Sequence, residues 1–428
     1  MDAQAEPTAR PGTAHPPSGA VAGSRPAARD DGPGRDTREP AFDAATVTVL
    51  SGAHFVHDTY PAFIGVLLPL LIPKLGLTLV EAGVLASGIR WTTLLQPLLG
   101  YVSDRLDTRF FVIVAPATTA ICVSLIGIAP SFFAVFALLL LSGVSHASFH
   151  PAAAAVVTRV SGNRWGKGTS FFMTGGELGR ALGPLYIAAI LTMVGLEWSW
   201  IALVPGLAFS VLLYDRLHRS GTIRFHHPAG DVRAAVRHGR RGIAALSTAI
   251  VFRSVGNGAL TTFLPTLAVA EGAGIAYAGA ALAAYEIGGT VGAFTGGTWS
   301  DRFGRRSVLA VGLVIGLPIL ALALLMGTGI VQLGALAVAG YFVLSGGPVQ
   351  VVTMQELLPD NRSMATGITY FMSTGGTIAA MIGVGALGDA LGLREALVVA
   401  VAISLVALPA IVALPSRRGK FAEGRSEP

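Results

Sequence analysis

Long apolar segments separated by short polar connections run through most of the chain. Twelve of these segments are long enough to cross a bilayer as helices, since a crossing takes about 20 mostly apolar residues. Their approximate limits are 45–72, 80–102, 110–129, 131–157, 168–194, 198–216, 242–269, 275–299, 308–327, 330–356, 364–388 and 392–414. The pattern predicts an all-α membrane protein with twelve transmembrane helices, numbered below as spans 1 to 12.

The two halves of this pattern repeat each other. Ser103-Asp104-Arg105 follows span 2, and Ser300-Asp301-Arg302 follows span 8. The segment GTSFFM at 168–173 is matched by GITYFM at 367–372. Six spans followed by six similar spans in the same direction predict two six-helix bundles related by parallel duplication, with a binding site between them.

Five parts of the chain follow from this organisation. Residues 1–43 have no apolar segment and are rich in Pro, Ala, Gly, Arg and Asp, which predicts a disordered cytoplasmic tail that could also carry a binding role. An N-terminal bundle over 44–216 and a C-terminal bundle over 242–414 are joined by a cytoplasmic central loop over 217–241. Residues 415–428 form a cytoplasmic C-terminal tail.

Lysine and arginine are concentrated in the connections on one side of the predicted membrane. The connections on the other side carry only Lys74 and Arg394. Because cytoplasmic loops keep an excess of lysine and arginine, both termini are expected in the cytoplasm, with the protein in a bacterial-type cytoplasmic (inner) membrane.

Composition narrows the class further. The chain is 52% hydrophobic and 13% charged, whereas soluble domains carry roughly 25% charged residues. Cys122 is the only cysteine, which excludes disulfides and thiolate metal clusters. No GxxxxGK[ST] segment is present, so no nucleotide is expected, and the net charge of +6 reflects loop topology rather than nucleic-acid binding. The expected partners are a lipid bilayer, a small-molecule substrate and protons, with a monomeric chain, no cofactor and a proton gradient as the energy source.

Two copies of a loop signature carry a resemblance to a known family. They are GYVSDRLDTR at 100–109 and GTWSDRFGRR at 297–306. On these loops the chain resembles the major facilitator superfamily over 45–414. His54, Asp58 and Tyr60 in span 1 and Phe149-His150-Pro151 in span 4 make it similar to the fosmidomycin-resistance branch of drug/proton antiporters.

The resemblance implies a gating role for the signature loops. Asp104, Arg105, Asp301 and Arg302 would bridge neighbouring helix ends and act as latches that favour one arrangement of the bundles. The alternative is a solvated turn that is basic only because it faces the cytoplasm.

Charged side chains inside the predicted spans indicate a polar cavity. Three are arginines and three are carboxylates: Arg90, Arg180, Arg253, Asp58, Glu177 and Glu286. A charge at mid-membrane is costly, so such residues usually face a cavity and are paired. The alternative is that individual pairs only hold helices together.

Proton coupling is predicted for a carboxylate that gains or loses an arginine partner as the bundles move. The candidates are Asp58, Glu177 and Glu286, with His54 and His57 beside them in span 1. Arg90, Arg180 and Arg253 offer planar donor groups to an anionic substrate. The other predicted substrate-binding residues are His146, His150, Asn257, Tyr60, Trp91, Phe172, Tyr285 and Tyr370, of which the aromatic residues could instead serve packing.

His146 and His150 share one face of span 4. Two histidines at this spacing also fit a metal site. No acidic partner follows at the zinc-protease spacing, so no metal is predicted, and His150 could instead shape a kink at Pro151.

These observations predict a secondary active transporter, a proton-coupled exporter of small anionic or polar drugs that works by alternating access. Proton-coupled uptake of an organic anion or another metabolite would use the same fold and charges. An integral-membrane enzyme or a sensor is the remote alternative.

Overall fold

The structure, a computed structural model, describes residues 42–94, 108–218 and 232–414, apart from the side chains of 108, 232–238, 360 and 363. Within these residues the chain is helical and contains no strand. Most of the two tails, much of the central loop and the first signature loop, with Asp104 and Arg105, lie outside the described residues.

The N-terminal half contains spans 1 to 6. Their helices are Ala44–Thr59 and Phe63–Leu75 (span 1), Leu79–Thr93 (span 2), Thr108–Ser124 (span 3), Phe132–Val160 (span 4), Trp165–Val194 (span 5) and Val204–Leu217 (span 6). Short 3₁₀ segments, Leu125–Ile128 and Leu196–Leu203, extend spans 3 and 6.

The C-terminal half contains spans 7 to 12. Their helices are Val232–Ala270 (span 7), Ile275–Phe303 (span 8), Arg305–Leu325 (span 9), Ile330–Leu344 and Gly346–Leu357 (span 10), Arg362–Leu391 (span 11), and Leu393–Ser404 and Ala407–Val412 (span 12). The helix of span 7 begins at Val232, earlier than the predicted limit of 242, because alanine and arginine at 232–240 favour helix beyond the apolar segment.

Ten helical stretches among the described residues are long and apolar enough to cross a membrane. The two remaining predicted spans are also helical. Span 2 is described only as far as Leu94, and the 29-residue helix of span 8 is less apolar because it contains Glu286 and several glycines. The predicted all-α membrane fold is confirmed.

Local chemistry explains where several helices begin. The Asp43 carboxylate accepts hydrogen bonds from the Thr46 hydroxyl and from the Thr46 amide at 3.0 Å, and these bonds hold the pKa of Asp43 below its ordinary value. Thr78 and Glu81 form a capping box at the start of span 2. Gly304, with φ of 92°, lets the chain turn between spans 8 and 9.

Two faces of small residues hold the helices of each half together. A Cβ added to Gly175, Gly179 or Gly183 would collide with the backbone of span 1. In the other half, a Cβ on Gly288, Gly292 or Gly296 would collide with span 10. Glycine therefore permits these close helix contacts, as small residues do between membrane helices.

The two halves approach each other closely at one end of the spans. Gly83 of span 2 lies against Met381 of span 11, and Gly65 of span 1 lies against Thr261 of span 7. Gly279 of span 8 lies against Pro184 of span 5. These contacts lie towards the face where span 1 ends, which is called the distal face below. The described residues therefore close the bundle interface at the distal face.

Candidate transport site

Span 1 brings a buried polar cluster into the N-terminal bundle. His54, His57 and Asp58 are exposed by only 2%, 0% and 2%. The His54 ring bonds the Phe172 carbonyl of span 5 through Nδ1 at 2.8 Å, and its Nε2 lies 3.3 Å from Asp58 Oδ2. The helix ends at Thr59, just before Pro61, so the cluster occupies the last two turns before a break in the span.

Arg180 of span 5 joins two carboxylates. Its guanidinium lies 3.2 Å from Asp58 Oδ2 and 2.5 Å from Glu177 Oε2. The Arg180 side chain is 43% exposed although protein surrounds it closely, as expected for a side chain that lines an internal cavity. Glu177 and Arg180, three residues apart on one helix, therefore form an ion pair that also includes Asp58.

The histidines of span 4 complete this side of the cavity. His146 Nε2 and His150 Nε2 are 3.1 Å apart, and His150 Nε2 lies 3.6 Å from Asp58 Oδ1. The His57 and His146 rings are stacked, with centroids 5.2 Å apart. The fold thus gathers His54, His57, Asp58, His146 and His150 into one cluster.

Arg90 and Glu286 come from opposite halves and lie within electrostatic reach of each other. Both side chains are partly exposed, and neither has a hydrogen bond or ion pair among the described residues. Glu286 of span 8 lies within electrostatic reach of Arg90, Arg180 and Glu177. The cavity therefore holds one arginine and one carboxylate that no direct contact neutralises.

Arg253 does not belong to this group. Its guanidinium donates a hydrogen bond to the Val343 carbonyl at 2.6 Å, and the side chain is 9% exposed. Gly346 leaves room for the guanidinium, since a Cβ there would overlap it. Of the six charged residues predicted to share a cavity, Arg253 lies apart, and the described residues bring together two arginines (Arg90 and Arg180) and three carboxylates (Asp58, Glu177 and Glu286).

The predicted aromatic and amide lining residues separate into two groups. Tyr60 is fully buried and bonds the Ala202 carbonyl at 2.9 Å, and the Tyr285 hydroxyl donates to Asn257 Oδ1 at 2.9 Å. Phe172 is 2% exposed and stacks on His54. These contacts hold helices together in this conformation. Trp91 and Tyr370 are 43% and 46% exposed, and Tyr370 lies within electrostatic reach of Arg180.

The second signature loop contains an ion-pair network around Arg305. The Arg305 guanidinium lies 2.6 Å from Asp301 and 3.0 Å from Glu356 of span 10. Arg302 instead lies over the Phe303 ring, with 5.4 Å from the guanidinium carbon to the ring centroid. The bridging arginine is therefore Arg305, which the Ser-Asp-Arg motif does not single out. The latch role itself stays a prediction.

The chain is similar to known proteins in both sequence and fold. The sequence model of the Major Facilitator Superfamily matches residues 50–245 and 246–427. An uncharacterized MFS-type transporter, YfnC of Bacillus subtilis (strain 168), is 25% identical over 397 residues, which is 89% of this chain and 96% of that protein. The fosmidomycin resistance protein of Escherichia coli (strain K12) is 28% identical over 355 residues, which is 78% of this chain and 84% of that protein.

Solved structures with the same fold are also transporters. A bacterial homolog of the human lysosomal transporter Spinster, inward-facing and unoccupied, has a TM-score of 0.70 at 16% identity and covers 86% of this chain and 96% of its own. The nucleoside transporter NupG has a TM-score of 0.69 at 16% identity and covers 86% of this chain and 98% of its own. The chain therefore belongs to the Major Facilitator Superfamily, and it is a multi-pass membrane transporter rather than an enzyme.

Proposed function

We propose that the protein is a proton-coupled exporter of small anionic or polar drugs, working by alternating access in a cytoplasmic membrane with both termini inside. The proposal rests on Arg90 and Glu286, which come from opposite bundles, lie within electrostatic reach of each other and have no ion pair or hydrogen bond among the described residues. The resistance named for the Escherichia coli relative favours a drug as the substrate.

Glu286 is the proposed proton carrier. With neutral histidines, the cavity has two positive and three negative groups, so one carboxylate lacks a cationic partner. Asp58 and Glu177 share Arg180 through direct contacts, which leaves Glu286 as the unpaired one. A charged carboxylate without a partner is costly inside a membrane, so protonation relieves that cost.

Arg90 is the proposed anchor for an anionic group. Its guanidinium has no protein partner among the described residues and presents a planar set of donors. Proton antiport requires that substrate and proton exclude each other. A drug that places its anionic end on Arg90 and a hydroxyl, amide or amine donor on Glu286 satisfies this requirement, because the donor replaces the proton.

Proton-coupled uptake of an organic anion is the second candidate, and the proximity of Arg90 to Glu286 favours it. An anion on Arg90 without a donor for Glu286 places negative charge near that carboxylate. The added charge favours the protonated form of Glu286. Anion and proton then bind together, which couples their movement in the same direction.

The direction of proton exchange on binding separates the two candidates. The purified protein is mixed with fosmidomycin in weakly buffered solution containing a pH-sensitive dye. Antiport predicts proton release, and the Glu286→Gln variant should lose it, while Glu395→Gln, which changes an exposed carboxylate in span 12, should retain it. If the protein instead takes up protons when fosmidomycin binds, proton-coupled uptake is the correct function and export is excluded.

Transport in vesicles supplies the second measurement. Glu286→Gln should lose gradient-driven fosmidomycin flux but keep exchange of external for internal fosmidomycin. Gradient-driven flux equal to that of the unchanged protein would remove Glu286 from proton coupling.

A further inference from the structure

Three histidines and one aspartate surround a single point between spans 1 and 4. His57, Asp58, His146 and His150 each place one nitrogen or oxygen within 4.8 Å of the others. His57 is fully buried, and His146 and His150 are half-buried. The set lies inside the N-terminal bundle and does not include Arg90 or Glu286.

Several nitrogen and oxygen atoms of these side chains lack hydrogen-bond partners. Both His57 ring nitrogens, His146 Nδ1 and Asp58 Oδ1 are buried without a hydrogen bond among the described residues. The Ala115 carbonyl approaches the His57 ring without adequate hydrogen-bond geometry. Leaving a buried polar group without a partner costs about 1–3 kcal/mol, so this cluster needs an occupant that satisfies several lone pairs at once.

We propose that His57, Asp58, His146 and His150 bind a divalent transition-metal ion of the zinc class. Imidazole nitrogens with a carboxylate oxygen suit Zn²⁺, Co²⁺, Ni²⁺ or Cu²⁺, whereas Ca²⁺ and Mg²⁺ prefer oxygen ligands alone. A tetrahedral ion with Zn–N bonds of about 2.0–2.1 Å holds its ligand atoms roughly 3.4 Å apart. The 3.1 Å and 3.6 Å separations at His150 already approach this distance.

Neighbouring groups are arranged to orient the ligands. Asp58 Oδ2 is held by His54 at 3.3 Å and by Arg180 at 3.2 Å, which leaves Oδ1 directed at the cluster. His54 is itself fixed by the Phe172 carbonyl.

The local charge permits a cation. Arg180 contributes one positive charge, and its partners Asp58 and Glu177 contribute two negative charges, so this contact network has a net formal charge of −1 with neutral histidines. A bound ion would tie span 1 to span 4 within one bundle. The sequence predicts no metal because span 4 lacks an acidic partner at the protease spacing, but the fold supplies Asp58 from span 1.

Metal binding to the purified protein tests the proposal and does not depend on any transport activity. The affinity tag is removed, and Co²⁺ and then Zn²⁺ are added under equilibrium dialysis, with the bound metal counted. We expect one ion per chain and the visible absorption of tetrahedral Co²⁺, which Zn²⁺ displaces. His146→Ala should weaken binding about 100-fold, and His54→Gln, which changes the orienting group, about 10-fold.

A matched control separates this site from other histidines. His226 and His227 are adjacent in the sequence and could bind metal themselves. The double variant His226→Ala/His227→Ala should retain the ion and its spectrum. His57→Asn provides a second loss-of-site variant, and gel filtration with thermal unfolding confirms that each variant is folded.

Two results would overturn the proposal. One is that the folded protein binds neither Zn²⁺ nor Co²⁺ stoichiometrically, which would mean that water molecules, not a metal ion, satisfy the polar atoms of the cluster. The other is unchanged affinity in both folded His146→Ala and His57→Asn.

Discussion

Arg90 and Arg253 are identical side chains inside spans, yet their surroundings differ. Arg90 has no partner among the described residues and lies near Glu286. Arg253 is buried and donates to the Val343 carbonyl in a space that Gly346 leaves open. The sequence predicts substrate contact for both residues, whereas the structure favours it only for Arg90.

Arg90→Ala should lower the affinity for an anionic substrate about 10- to 100-fold, because a hydrogen bond to a charged group is worth about 1.5–3 kcal/mol. A neutral analogue should lose little affinity. Arg253→Ala should instead lower the thermal stability and affect both substrates equally. Competition binding with a charged and a neutral ligand, together with thermal unfolding in detergent, measures these effects. If Arg253→Ala lowered the affinity for the anionic ligand but not for the neutral one, that result would contradict a structural role for Arg253.

The partners of individual charges could not be predicted from the sequence. Glu177 and Arg180 are three residues apart on one helix, so their contact follows from helical geometry. The contact of Asp58 with Arg180 joins residues 122 positions apart. Spacing along the chain contains no information about such a contact, because it depends on how spans 1 and 5 are rotated.

At the scale of elements, glycines set how closely helices pack. Gly296 and Gly297 are neighbours in span 8 with different surroundings. A Cβ on Gly296 would collide with the Ser345 backbone, while a Cβ on Gly297 would meet nothing within 4 Å. Alanine at either position changes helix propensity in the same way, so a difference between the two variants reports the close packing at Gly296 alone.

Gly296→Ala should destabilise the protein by about 1–3 kcal/mol, the usual cost of overpacking. Gly297→Ala should be neutral or stabilising by up to about 1 kcal/mol, since alanine favours helix. Thermal unfolding of both variants in the same detergent measures the difference. Equal destabilisation by the two substitutions would show that span 8 does not depend on this contact with span 10.

At the scale of the whole molecule, Asp389 joins the two bundles at the distal face. Its carboxylate accepts hydrogen bonds from the Leu79 and Val80 amides at 2.9 Å each. These amides begin the helix of span 2, where the helix dipole favours a negative charge. The contact exists only while the distal face is closed, so it stabilises the observed conformation.

Asp389→Ala should shift the protein towards a distal-open conformation. A carboxylate at an exposed helix N-terminus contributes about 1 kcal/mol, which corresponds to an approximately fivefold change in population. Spin labels at Val194 and Ala276, both exposed near this face in opposite halves, would report a larger fraction of long distances. Glu395→Gln provides the control, and an unchanged distance distribution in Asp389→Ala would exclude the latch.

The sequence by itself determined the helical spans, their duplication and the family, because apolar length and loop motifs are local properties of the chain. It also singled out the side chains that form the cavity and the histidine cluster. Only the tertiary structure decided that Arg253 bonds Val343, that Asp58 joins His146 and His150, and that Arg305 bridges to Glu356. Membrane helices are apolar on most sides, so their pattern does not specify which face meets which neighbour. That choice came from backbone contacts at glycines and from the pairing of buried charges.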